Sequence, residues 1–204
     1  MVNRISENIS LECLKLASLL NSEVRKISKV KTDKYFIKTY PKTVLLESFD
    51  NIEKRLILIE SVVQYPFEYE WTNISLVLKT PIFSGNHSNL DKTQLKELAK
   101  YLDYIHSKNV YHGDIHIRNI FIKNNTPVLV DWEPCTVQLI NSKRIIKSHS
   151  QSIAIKDKKH KKISSLTDKK GFLKLISTEM FNQLSDTEEM ENLNCQELLN
   201  NKDF

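Results

Sequence analysis

The chain has 204 residues, 40% hydrophobic and 27% charged, which fits a soluble globular protein long enough for one domain or two small lobes. Its polar start and the lack of an apolar run of spanning length give the expectation of neither a signal peptide nor a transmembrane segment. Cys13, Cys135 and Cys195 have neither disulfide nor metal-ligand spacing, which points away from a metal–thiolate site and toward a reducing, cytoplasmic setting.

From residue 6 to residue 20 the apolar positions recur at helical spacing, the pattern of a packing helix. Two β-prone pieces follow, 24–30 and 35–40, and the polar Lys31-Thr32-Asp33-Lys34 between them predicts a hairpin. Residues 43–63 return to a helical period through Leu45, Leu46, Phe49, Ile52, Leu56, Ile59 and Val63. Residues 67–71 and 74–78 read as two more strands, and Thr80-Pro81 with Gly85-Asn86 as extended chain and turn. Asp91 is a good N-cap for a helix with Leu95, Leu98, Ala99, Leu102 and Ile105 on one face, ending near Ser107-Lys108-Asn109. Beyond residue 131 come short β-prone pieces at 136–140 and 152–155 and a basic run, Lys156, Lys158, Lys159, Lys161 and Lys162, inside a net charge of +5. A helical stretch at 171–184, opened by Ser164 to Asp168, and an acidic helix at 185–200 close the chain. No aromatic-interleaved or other nucleic-acid motif accompanies the basic run.

The densest signal is Tyr111-His112-Gly113-Asp114-Ile115-His116-Ile117-Arg118-Asn119-Ile120-Phe121-Ile122, followed by Val128-Leu129-Val130-Asp131-Trp132-Glu133. The apolar runs 120–122 and 128–130 flank a polar connection with the Asn and Pro of tight turns, so they predict a short hairpin. Asp114 and Asn119 then precede its first strand and Asp131 follows its second, which brings three oxygen-bearing side chains to one end. An Asp and an Asn are hard ligands suited to Mg²⁺ whose remaining positions are taken by phosphate oxygens. The other Asp can orient or deprotonate a hydroxyl, and little more is asked of a protein in phosphoryl transfer beyond positioning and charge neutralisation. Singly, such residues usually cap turns; as an ordered set around a hairpin they read as a site.

This arrangement resembles the protein-kinase-like superfamily, whose H-x-D-x-x-x-x-N loop corresponds to His112, Asp114 and Asn119 and whose D-F-G corresponds to Asp131-Trp132-Glu133. The resemblance implies an α+β, bilobal fold in a single domain: a small β-sheet lobe with a helix over about 1–80, and a shortened, mainly helical lobe over about 86–204. It implies ATP and Mg²⁺, with Asp114 as catalytic base, Asn119 and Asp131 on the metal, and His112 bracing the loop. Lys38, ending the triplet Tyr35-Phe36-Ile37, is similar to the V-A-I-K lysine that contacts nucleotide phosphates, and the helix at 43–63 would supply its carboxylate partner, Glu53 first and Glu47 second. Asp168 lies about where the family has a structural Asp, though a helix cap is an equal reading. The family's glycine-rich loop is missing: no Gly precedes Gly85.

Two acceptor classes fit the resemblance. A minimal serine/threonine protein kinase is expected first, because larger small-molecule kinases build their acceptor pocket from C-terminal helices. A small-molecule or lipopolysaccharide-sugar kinase is second, since His112-Gly113-Asp114-Ile115-His116 and Asp131-Trp132-Glu133 look like that branch. A pseudokinase binding module is the third alternative, from a different class. Gly113 stands where regulated protein kinases carry an Arg, so activity is not expected to need phosphorylation at Ser148, Ser150 or Ser152.

Overall fold

The computed structural model describes residues 27–45, 47–83, 89–134, 137–138, 145–146, 164–185 and 187–200. The helix expected at 6–20, the β-prone piece at 152–155, the basic run and the three serines lie outside these residues. The protein is α+β, with a small antiparallel sheet and several helices.

The sheet has the order β1-β2-β4-β3, from β1 (Ser28–Lys31), β2 (Tyr35–Pro41), β3 (Glu68–Trp71) and β4 (Ser75–Pro81). The β1–β2 turn closes without glycine. Thr32 accepts the Tyr35 N–H on Oγ1 at 2.9 Å and donates its own N–H to Tyr35 O at 2.8 Å. The Ser/Thr hydroxyl thus does locally what a tighter backbone would do. Strand alternation puts Phe36, Lys38 and Tyr40 of β2 on the inner face, opposite Thr80, Leu78 and Leu76 of β4. Strand β4 continues three residues past the expected end at Leu78, pairing Lys79, Thr80 and Pro81 with Ile37, Phe36 and Tyr35.

Helix α1 (Phe49–Val62) begins later than the periodicity suggested, because Lys42–Val44 is a short 3₁₀ turn after Pro41. It buries Ile52, Leu56, Ile59 and Val62, each worth about 1.5–3 kcal/mol of apolar transfer before entropy is counted. Helix α2 (Lys92–Ser107) starts at a capping box, in which Asp91 takes the Gln94 N–H at 2.8 Å and Gln94 returns to the Asp91 N–H. It stops at Asn109, whose φ of 56° only a few side chains tolerate.

Strands β5 (Ile120–Lys123) and β6 (Thr126–Leu129) form the hairpin the sequence suggested. Its turn is Asn124-Asn125, both at positive φ, the requirement of a two-residue hairpin turn. Gln64 binds the outer edge of β6, donating to Pro127 O at 3.1 Å and accepting from Leu129 N at 3.1 Å. The backbone pieces β7 (Val137–Gln138) and β8 (Ile145–Ile146) pair with each other.

The C-terminal helices differ from the expected pair. Helix α3 (Ser165–Ile176) starts six residues before Gly171, and Ser177 then separates it from α4 (Thr178–Leu184). The acidic stretch holds two short helices, α5 (Glu188–Asn192) and α6 (Cys195–Asn200). Asp103 of α2 accepts the N–H groups of Cys195 and Gln196 at 2.7 and 3.1 Å, so α6 begins where α2 caps it.

One apolar core runs from the inner face of the sheet and α1 through α2 and the β5–β6 hairpin to Phe172 and Cys195, with a smaller cluster of Leu173, Met180, Leu184, Met190 and Leu198 beside it. Among the described residues, no helix is long and apolar enough to cross a membrane.

Candidate active site

The loop from α2 to β5 is held from below by one fully buried carboxylate. Asp168, in the first turn of α3, accepts the N–H of His112 at 2.8 Å and of Gly113 at 2.6 Å, and His106 Nε2 lies 3.1 Å away. Buried charge is tolerated where donors surround it, and here three converge. Gly171, one turn further on, allows the close approach: a Cβ there would lie 2.5 Å from Ile115 O. Asp168 therefore anchors the loop as well as sitting near a helix start.

Within the loop His112 is locked at both ring nitrogens. Nδ1 accepts the Asp114 N–H at 3.2 Å, which leaves Nε2 to donate to Val130 O at 2.9 Å. Gly113 adopts φ 80°, a region that costs any side chain. Asn119 donates Nδ2 to both Asp114 Oδ2 and Asp114 O, each at 3.0 Å, and its own carbonyl accepts the Val130 N–H at 2.9 Å. His116 Nε2 lies 3.3 Å from Asp114 Oδ1, while its Nδ1 accepts the Arg118 N–H at 3.1 Å. Asp114 and Asn119 are thus in direct contact, and Asn119 is bonded to the residue before Asp131.

Asp131 turns out of β6 with φ 67°. Trp132 is buried behind it, donating its indole N–H to Leu129 O at 3.1 Å with its ring centroid 4.7 Å from that of His112. Lys38, 5% exposed, crosses from the inner face of β2 to ion-pair with both Asp131 and Glu133, and Tyr40 donates to the second Glu133 oxygen. Burial works against the Lys38 ammonium, but Glu133 and Asp131 outweigh it and raise its pKa, so it stays charged. Burial and the neighbouring Asp131 push the Glu133 carboxyl up against the pull of Lys38. Two carboxylates share one ammonium, which leaves the group short of a cation.

Neither carboxylate expected from α1 reaches Lys38. Glu53 faces β3, where Tyr69 and Trp71 donate to it at 2.9 and 2.7 Å. Glu47 is the partner of Arg55, which also donates to Pro134 O at 2.7 Å and so ties α1 to the chain just past Glu133. The partner the sequence reading missed is Glu133. Its signal was the Asp-x-Glu spacing, since residues two apart in extended chain share a side.

Lys38, Asn119 and Asp131 open into a cleft of about 360 Å³ between the sheet and the β5–β6 hairpin. Leu78, Phe83, Phe121 and Trp132 supply its apolar walls. The residues fit Mg²⁺. Asp131 offers a carboxylate about one-third exposed, Asn119 has its amide nitrogen committed to Asp114 and so presents the oxygen, and both are hard donors. The ligand atoms of Asp103, His106 and Cys195 also lie within 4.8 Å of one another. That group is already used: Asp103 caps α6, His106 meets Asp168, and burial raises the Cys195 thiol so that it keeps its proton.

No protein-family model matches the chain, and no curated protein matches it. The functional reading is carried by the geometry of the site.

Proposed function

We propose that this chain is an ATP-dependent phosphotransferase of protein-kinase-like, bilobal architecture that moves the γ-phosphoryl group to an acceptor hydroxyl. The observation that carries the reading is Lys38 meeting Asp131 across a cleft whose floor holds Asn119 bonded to Asp114. In this reading Lys38 holds the α/β-phosphates, Asn119 and Asp131 hold Mg²⁺, and Asp114, oriented by Asn119 and His116, accepts the hydroxyl proton. Bound Mg²⁺ would neutralise phosphate charge as transfer proceeds. The cleft's aromatic walls suit a base.

A protein serine or threonine is the acceptor we propose first. A sugar or other small hydroxyl compound is second, favoured by Glu133, which binds Lys38 from the Asp-x-Glu motif resembling the small-molecule branch. The gathering of all four residues in one place argues against a binding module without catalysis. Cysteines without pairing or ligand spacing support a cytoplasmic setting.

Purified protein with labelled ATP and Mg²⁺, offered a proteome extract beside a small-molecule fraction, tests the activity and sorts the acceptors. Asp131→Ala abolishes transfer, and Asp114→Asn keeps nucleotide binding while lowering transfer by about 100-fold or more. Unaltered transfer in both variants overturns the proposal.

A further inference from the structure

We infer that Lys29 and Lys31 of β1, with Arg118 on the opposite wall, form a polyphosphate grip that replaces a glycine-rich loop; its occupant, the nucleotide triphosphate, rests on the function proposed above. The register sets Lys29 directly opposite Lys38 and Lys31 opposite Phe36, so both lysines share the inner face and line the cleft. Val30, between them, is turned the other way and is 40% exposed. Lys29 and Lys31 are exposed as Val30 is, and they stand on the cleft side of the strand.

Lys38 has its carboxylates in Asp131 and Glu133, whereas Lys29, Lys31 and Arg118 make no ion pair among the described residues. Lys29, Lys31 and Arg118 add three cations to the cleft beside the Lys38–Asp131–Glu133 group, a local surplus that suits a multiply charged anion.

The turn joining β1 to β2 explains why side chains must do this. A glycine-rich turn offers backbone N–H groups to phosphate. Here the N–H groups of Thr32, Lys34 and Tyr35 are spent inside the turn, on Tyr35 O and Thr32 Oγ1. Lysine ammoniums, rotatable point charges on long stems, supply the missing attraction from the strand next to it.

The test is calorimetric binding of Mg-ATP, adenosine and inorganic tripolyphosphate to the full chain, to Lys29→Ala/Lys31→Ala, and to the charge-keeping Lys29→Arg/Lys31→Arg. The alanine pair is expected to weaken ATP and tripolyphosphate by about ten-fold or more, to leave adenosine unchanged, and to be rescued by the arginine pair. Equal ATP and tripolyphosphate affinities in wild type and the alanine pair overturn the grip and leave the phosphotransferase reading standing. Lysine-dependent tripolyphosphate binding without ATP binding keeps the grip and sinks that reading. Failure of the wild type to bind either anion overturns both.

Discussion

Gly113 donates its N–H to Asp168 Oδ1 at 2.6 Å from a backbone held at φ 80°. The conformation aims two successive N–H groups, those of His112 and Gly113, at one carboxylate that is completely buried. Asp168→Ala strands both donors together with His106. At about 1–3 kcal/mol for each buried group left unsatisfied, the loss should reach about 3 kcal/mol. Urea unfolding measures it, and a loss below about 1 kcal/mol would show that Asp168 serves chiefly as a helix residue.

Gly171→Ala separates propensity from packing by its sign. In a solvent-facing helix the change stabilises by roughly 0.5–1 kcal/mol. At this position the new Cβ meets Ile115 O at 2.5 Å and Ile115 Cβ at 2.8 Å, and the first is backbone that cannot swing away. Overpacking of this kind costs about 1–3 kcal/mol, so a lowered thermal midpoint is expected. A raised midpoint would mean that α3 does not press on the loop.

The β5–β6 hairpin and α2 were visible because their signals are local: a polar turn, a capping Asp, a helical period ending in Asn109. Asp114, Asn119 and Asp131 could be gathered because that hairpin is short. The stretch expected at 171–184 begins earlier, at Ser165, because Gly171 lies inside α3, where its smallness answers a contact with Ile115 that only the fold brings about. Which way a helix carboxylate such as Glu53 points depends on the strand it faces, and Tyr69 and Trp71 hold it there. Glu133 stands inside the Asp131-Trp132-Glu133 motif with nothing local to name its partner. Pairing it with Lys38 requires knowing that β2 lies against the end of β6.

Lys38→Met leaves Asp131 and Glu133 facing each other beside Tyr40. Breaking one partner out of a buried ion pair costs about 3–5 kcal/mol, and the lower end applies because Asp131 is 35% exposed. The added change Glu133→Gln removes the repulsion, so Lys38→Met/Glu133→Gln should recover stability relative to Lys38→Met, while the ATP turnover proposed above should be lost in both. Denaturant midpoints and a turnover assay check the two halves. Full additivity of the single changes would deny the coupling between Lys38 and Glu133.

Tyr69 provides a pH test away from the cleft. Burial, then the hydrogen bond to Glu53, raise its phenol from 10 to about 12. The folded state therefore holds the Tyr69 proton more tightly than the unfolded chain does. Its contribution is complete below pH 10 and fades as pH rises toward about 12, because only the unfolded phenol has ionised in that window. Tyr69→Phe removes this term and leaves the other tyrosines titrating as before. The stability of the wild type should thus fall more steeply than that of the variant over those two pH units. Parallel urea midpoints across that range, or a Tyr69 phenolate forming at its ordinary pH in difference absorbance, would mean that the phenol does not hold Glu53 in the folded protein.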